Sequence, residues 1–265
     1  MPPPPKNLDE LARSLLANGP VKTLPAAPKR VRVRLGGTYV ADTTDAVYVW
    51  EHVYYPTYYV PRASFAKGVL LTQQNTSTEE KKGYSLGVLS AGDASTDRVI
   101  VFREGVLADL VRVEFGAVDA WFEEDVRIDI HPKDPFKRVD VVFSSRPVRV
   151  FVHGVEVARA ESCFHLYETG LPVRLYLPAT AVRAELLRDS TTVTACPYKG
   201  EANYYDVVVK GGEESGEQKL KDAVWYYKNP KMECAAIAGC LCFYNEKVDI
   251  ELDGKKLERP KTPFS

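Results

Sequence analysis

The chain has 265 residues, enough for one large domain or two ordinary ones with a real core. Hydrophobic residues make up 45%, charged residues 27%, and the net charge is −1, which excludes the basic footprint that would point to nucleic acid or a membrane surface. No apolar run of about 18 residues and no signal-peptide pattern is visible, so the expected location is the cytoplasm, with no membrane partner.

In chain order, residues 1–29 read as a proline-rich N-terminal arm around one helix. Leu8, Leu11, Leu15 and Leu16 keep helical spacing after Asn7, and Gly19-Pro20 stops them. VRVRL (31–35), a Gly-Gly turn and TYVAD (38–42) form a hairpin signal. Strands VYVWE, TYYVP, DRVIVF and LVRVEF follow, with a short helix expected over 117–124. HPKDPFKRVD, from His131, reads as a connector. Beyond it come RVDVVF, VRVFV, VEVAR, FHLYE, RLYLP, TTVTAC, NYYDVVV, AVWYY, LCFY and KVDIEL, with short helices expected over 179–187 and 232–238. Polar stretches at 74–82 and 210–219 read as loops at hairpin tips.

The chain repeats itself. Val31–Pro61 aligns without a gap on Val148–Pro178, with identical residues at Val31, Arg32, Val33, Gly37, Val40, Ala41, Glu51, Tyr59 and Pro61. A period this long means two related domains and not a solenoid. The predicted class is all-β with a few short helices, in two duplicated, mostly antiparallel β lobes: arm 1–29, first lobe 30–137, second lobe 138–257, tail 258–265.

The ordered motifs RVDVVFSSRPVRVFVHGVEVARA, YETGLPVRLYLP, TACPYKGEANYY, AVWYYKNP and IAGCLCFYNEKVDIELDG resemble the DUF427 family, found widely in bacteria and fungi. The match is best over 138–255, and the N-terminal lobe resembles a second, more divergent copy. The resemblance implies a compact, mostly antiparallel β-fold with a cleft and names no common activity. A nucleotidyltransferase-like label attached to the family finds no support in these residues. They contain no Gly-rich phosphate loop leading into a helix and no paired Asp motif for magnesium.

The residues that could do chemistry concentrate in the second lobe. Cys196-Pro197-Tyr198-Lys199-Gly200 reads as a tight connection between two strands. It brings a thiol near an amine: Cys196 as a nucleophile, or a small core residue; Lys199 as a ligand contact, or a Schiff-base former should burial depress its pKa. Glu168 closes the third strand of the second copy, as Glu51 does in the first, and could act as general base or as partner of Lys199. His165 points to the opposite face of that strand, so a dyad with Glu168 is not expected. Tyr176, Tyr205, Trp225 and Tyr227 are the expected ligand-binding aromatics. Fifteen tyrosines are more hydroxyls than a dry core readily satisfies. The first lobe has KKGYSLGVLS where the second has CPYKG, so chemistry is assigned to the second lobe.

The five cysteines, Cys163, Cys196, Cys234, Cys240 and Cys242, are odd in number and have no zinc-knuckle spacing; reduced thiols and no metal are expected. Cys240 and Cys242 should share one strand face. No cofactor and no nucleic-acid partner is expected, and the sequence leaves the oligomeric state open. Two readings stay open: a small-organic-ligand site in an aromatic pocket, with or without acid–base or carbonyl chemistry, or a non-enzymatic ligand-sensing or protein-interaction module.

Overall fold

A computed structural model describes residues 7–72, 83–210 and 216–262. The loop expected at 74–82 and the centre of that at 210–219 lie outside these residues. The chain divides into two compact units between Asp134 and Pro135.

The first unit opens with helix α1 (Leu8–Asn18), capped by the Asn7 side chain, which accepts hydrogen bonds from the Asp9 and Glu10 amides. Its strands are β1 (Lys22–Pro25), β2 (Val31–Leu35), β3 (Thr38–Thr43), β4 (Val47–Trp50), β5 (Thr57–Pro61) and β6 (Leu70–Thr72). They continue with β7 (Tyr84–Ala91), β8 (Ala94–Phe102), β9 (Leu110–Val113), β10 (Ala120–Glu123) and β11 (Val126–Ile128). A seven-stranded sheet runs β1-β4-β5-β9-β8-β7-β6 and a four-stranded sheet runs β11-β10-β2-β3, all antiparallel. Residues 22–25 of the arm form an edge strand paired with β4.

The second unit repeats this plan. Its strands are β12 (Val139–Ser144), β13 (Val148–Val152), β14 (Val155–Ala160), β15 (Cys163–Glu168), β16 (Arg174–Pro178) and β17 (Leu187–Cys196). They end with β18 (Gly200–Lys210), β19 (Glu217–Tyr227), β20 (Cys240–Phe243), β21 (Asp249–Leu252) and β22 (Lys255–Lys256). The sheets run β12-β15-β16-β20-β19-β18-β17 and β14-β13-β21-β22, the same order strand for strand. The duplication thus extends well beyond the 31 residues that align visibly.

In each unit the two sheets face each other over an apolar core of alternating residues, as in a sandwich. The outer face of each seven-stranded sheet is also apolar. In the first unit α1 lays Leu8, Ala12 and Leu15 over Val49, Tyr59, Ile100 and Phe102. In the second, the outer face gathers Leu166, Tyr176, Tyr204, Trp225 and Tyr227 with Cys234 and Ile237 of the 3-10 segment Met232–Ile237.

The helix expected over 117–124 is instead a 3-10 turn followed by strand β10. Trp121 buries between the sheets while Phe122 meets Tyr39 on the other side, a period of two that outweighs local propensity. Residues 179–187 form two 3-10 turns and then enter β17.

One buried ion pair marks the first unit. Glu51 and Arg112 have side chains only 6% and 5% exposed, with Arg112 Nε 2.7 Å from Glu51 Oε1. The Tyr59 hydroxyl donates to the same carboxylate at 3.2 Å. Burial opposes the guanidinium charge, yet Glu51 outweighs it and raises the Arg112 pKa. Removing one partner strands the other charge. Arg112→Ala is expected to cost about 3–5 kcal/mol in urea unfolding, while Arg112→Met combined with Glu51→Gln costs far less. Equal losses in the two variants would contradict this.

Candidate functional site

Glu168 is the last residue of β15, on the face that carries Phe164 and Leu166. The chain turns immediately after it, with the Leu171 amide bonded to the Glu168 carbonyl at 3.0 Å. Lys199 ends the three-residue loop between β17 and β18, where Cys196 pairs with Gly200. Gly200 has φ +105°, and a Cβ there would sit 3.2 Å from the Asn229 carbonyl oxygen, so only glycine fits the turn without strain. The Lys199 carbonyl accepts from the Lys231 amide at 3.0 Å, which ties the loop to the segment before the 3-10 turns.

β18 and β15 lie four strand spacings apart in the sheet, roughly 19 Å if the sheet were flat. A lysine side chain spans only about 6 Å. Yet the Lys199 ammonium donates directly to Glu168 Oε2. The sheet must therefore curl strongly over its outer face, and the ion pair closes that curl. Both side chains are largely buried, Lys199 at 12% and Glu168 at 8% exposure.

The electrostatics favour the charged form of Lys199. Burial works against its charge, but the neighbouring Cys196 sulfur and the Glu168 carboxylate more than compensate, and its pKa is raised. A Schiff-base lysine needs the opposite shift. Lys199 is a charge partner here.

Three of the four expected aromatic residues, Tyr176, Trp225 and Tyr227, are buried. Tyr176 is fully buried, and its hydroxyl accepts from Trp225 Nε1 at 3.0 Å. Trp225 packs on Tyr244 with ring centroids 4.5 Å apart and carries the Arg174 guanidinium 5.4 Å from its ring centre. Tyr227 is 4% exposed, and burial pushes its phenol far above the ordinary range. These three form a packed cluster beside the ion pair. Tyr205 is elsewhere: it lies on the opposite face of β18 from Tyr204, stacks on Tyr226 at 4.8 Å, and packs against the inter-sheet core. The strand period of two separates it from the others.

Several participants escaped the sequence reading. Arg174 shares a face with Tyr176 and pairs with Glu246 through two contacts of 2.7 and 2.8 Å. Period-two alternation in RLYLP could have flagged Arg174; nothing local marks Glu246. Tyr204 completes the cluster, its hydroxyl 2.7 Å from Thr194 Oγ1. His165 faces the inter-sheet side and is 4% exposed, apart from Glu168, and burial lowers its pKa.

The accessible part of the site lies at the Glu168 end of β15. Arg138, Asp140, Tyr167, Glu168 and Thr169 line a depression of about 350 Å³. Arg138 Nε donates to Asp140 Oδ1 at 2.8 Å, and the Arg138 amide bonds to Thr169 Oγ1 at 3.0 Å. All five cysteines are free, with Cys196 partly exposed and the others buried. Cys240 and Cys242 share the outer face. Among the described residues no group of three His, Cys, Asp or Glu side chains could hold a metal ion, and no helix is long and apolar enough to cross a membrane.

The raised Lys199 pKa has a defined pH signature. Its stabilisation is fully present below the ordinary value of 10.5 and is lost as pH rises through the higher folded value. Wild-type stability should therefore fall more steeply above pH 10.5 than that of a Lys199→Met/Glu168→Gln double variant. Parallel alkaline curves in urea titrations would refute the pairing.

No curated protein matches the chain. A family model described as "Domain of unknown function (DUF427)" matches residues 23–123 and again 140–254, one match for each repeat of the fold. Those two segments take in most of the sequence, and the chain belongs to the DUF427 family as a two-copy member.

Proposed function

We propose that the protein binds a small polar organic molecule in its second lobe, at the Glu168 end of the curled sheet, with the first lobe as scaffold. The observation that carries this reading is the Glu168 carboxylate, largely withdrawn from water, paired through Oε2 with Lys199, and lining a depression of about 350 Å³. That volume lies at the lower end of the range for small-molecule sites.

The lining sets the chemistry of the ligand. Glu168 and Asp140 accept from a cationic or amine group; the Arg138 guanidinium and Thr169 hydroxyl suit a carboxylate or carbonyl at the other end. A zwitterion of amino-acid size fits both requirements. Acid–base chemistry with Glu168 taking the proton is compatible with this arrangement; carbonyl condensation on Lys199 draws no support from an ammonium held in its charged form. In the first lobe Glu51 is engaged by both Arg112 and Tyr59, which favours the second lobe as the binding half.

A second reading, a protein-interaction module, draws on edge strand β12, which exposes Val142 and Phe143 at 51% and 62%. Lysine at both positions would abolish partner capture while leaving small-molecule binding intact.

Native mass spectrometry of the purified protein against a metabolite extract tests the main reading. Wild type is expected to retain a small zwitterionic or amine-bearing compound, and Glu168→Gln and Arg138→Ala to weaken its binding at least about tenfold, the loss of one charge-assisted contact each. Equal retention by all three proteins, or no retained compound at all, would reject the assignment.

A further inference from the structure

Beyond ligand binding, the second lobe holds a thiol arrangement that the proposed site does not use. Thr194 and Cys196 are two residues apart on β17 and so point to one face; the Thr194 hydroxyl meets Tyr204, which fixes that face as the outer one. Cys234, on the 3-10 segment, belongs to the cluster covering the same face. Three backbone relations bring the segments that carry the two thiols together. Cys196 pairs with Gly200, the adjoining Lys199 carbonyl accepts from the Lys231 amide at 3.0 Å, and the Lys231 carbonyl accepts from the Cys234 amide at 2.8 Å. Cys234 also breaks its 3-10 run, with φ −117° and ψ 17°.

The charges agree with that placement. Cys196, Glu168 and Cys234 all lie close enough to act on the Lys199 ammonium in the same, favourable sense. Burial pushes the Cys234 thiol up to about 11, with Lys199 the first influence opposing it. Of the five cysteines only Cys196 is open to a reagent.

We propose that Cys196 and Cys234 form a peroxide-reactive dithiol, with Cys196 as the attacking sulfur, Cys234 as the resolving one, and the Lys199 ammonium beside both. The Cys196 thiolate attacks one oxygen of hydrogen peroxide; the O–O bond breaks, Cys196 becomes a sulfenic acid, and the departing hydroxide takes a proton to leave as water. The Cys234 sulfur then attacks the sulfenic sulfur; an S–S bond forms, the S–O bond breaks, and the hydroxyl leaves as a second water with the Cys234 proton. Two thiols lose two electrons and one peroxide gains them. The disulfide would staple the Lys199 loop to the 3-10 segment, and a dithiol reductant would reverse it.

The test uses the full-length protein, reduced and then exposed to a small excess of hydrogen peroxide. Intact mass should fall by about 2 Da, the loss of two hydrogens on disulfide formation. Peptide mapping should place the bond between Cys196 and Cys234, and dithiothreitol should restore the mass. Cys196→Ser should block the change. Cys234→Ser should stop at a sulfenic acid that dimedone traps on Cys196; should that variant fail to fold, wild-type mapping decides alone. An unchanged wild-type mass, a cross-link through other cysteines, or oxidation of Cys196 to a sulfinic acid without a cross-link would overturn the proposal.

Discussion

Each seven-stranded sheet has to keep two faces dry, and most of the architecture follows from that requirement. The inner face is met by the four-stranded sheet in both lobes, with buried valines at the same places of the repeat: Val31 and Val148, Val33 and Val150, Val40 and Val157. The outer face is met differently. The first lobe covers it with α1, which presents an apolar stripe of Leu8, Ala12 and Leu15. The second lobe has no such helix before β12 and fills the space with rings from the sheet together with Cys234 and Ile237 of the 3-10 segment. By strand register, Leu86 becomes Tyr204, Ile100 becomes Trp225 and Phe102 becomes Tyr227. Rings on the strands and the 3-10 segment together do the work that a helix does in the first lobe, so the aromatic richness of AVWYY is chiefly a packing solution.

The same comparison explains the two carboxylates. Glu51 and Glu168 occupy one position of the repeat, and both lie in surroundings where an unpaired charge would be expensive. The cation comes from a different place in each. In the first lobe it is Arg112 on β9; the corresponding position on β20 is Cys242, which pairs across from Tyr176 as Arg112 does from Tyr59. With no arginine there, the second lobe draws its cation from the β17–β18 loop. A charge carried on a strand is held rigidly, whereas one carried on a loop depends on the loop's own anchoring, here the Lys199–Lys231 backbone bond and the glycine at position 200.

Much of this was legible in the sequence. The repeat, the strand runs and the helix bounded by Asn7 and Gly19 all depend on local periodicity and capping, which a single chain displays openly. The pairing of Glu168 with Lys199 was within reach because both sat at strand ends of one copy. What failed was longer in range or finer in register. Residues 117–124 have helical composition in part, but the sheet partner β2 claims them. Tyr205 was grouped with Tyr176 and Trp225 by proximity in sequence, whereas a strand sends neighbours to opposite faces. Glu246 reaches Arg174 across 72 residues, and no local signal encodes such a contact.

The curl of the second sheet has a mechanical meaning. Because Lys199 and Glu168 join two strands that are four places apart, the ion pair ties the β17–β18 loop directly to the end of β15. The ion pair works as a clasp across the curled sheet. The loop that carries Cys196 and the strand end beside the Arg138 depression are thereby held by one contact across the open side of a single β-sheet.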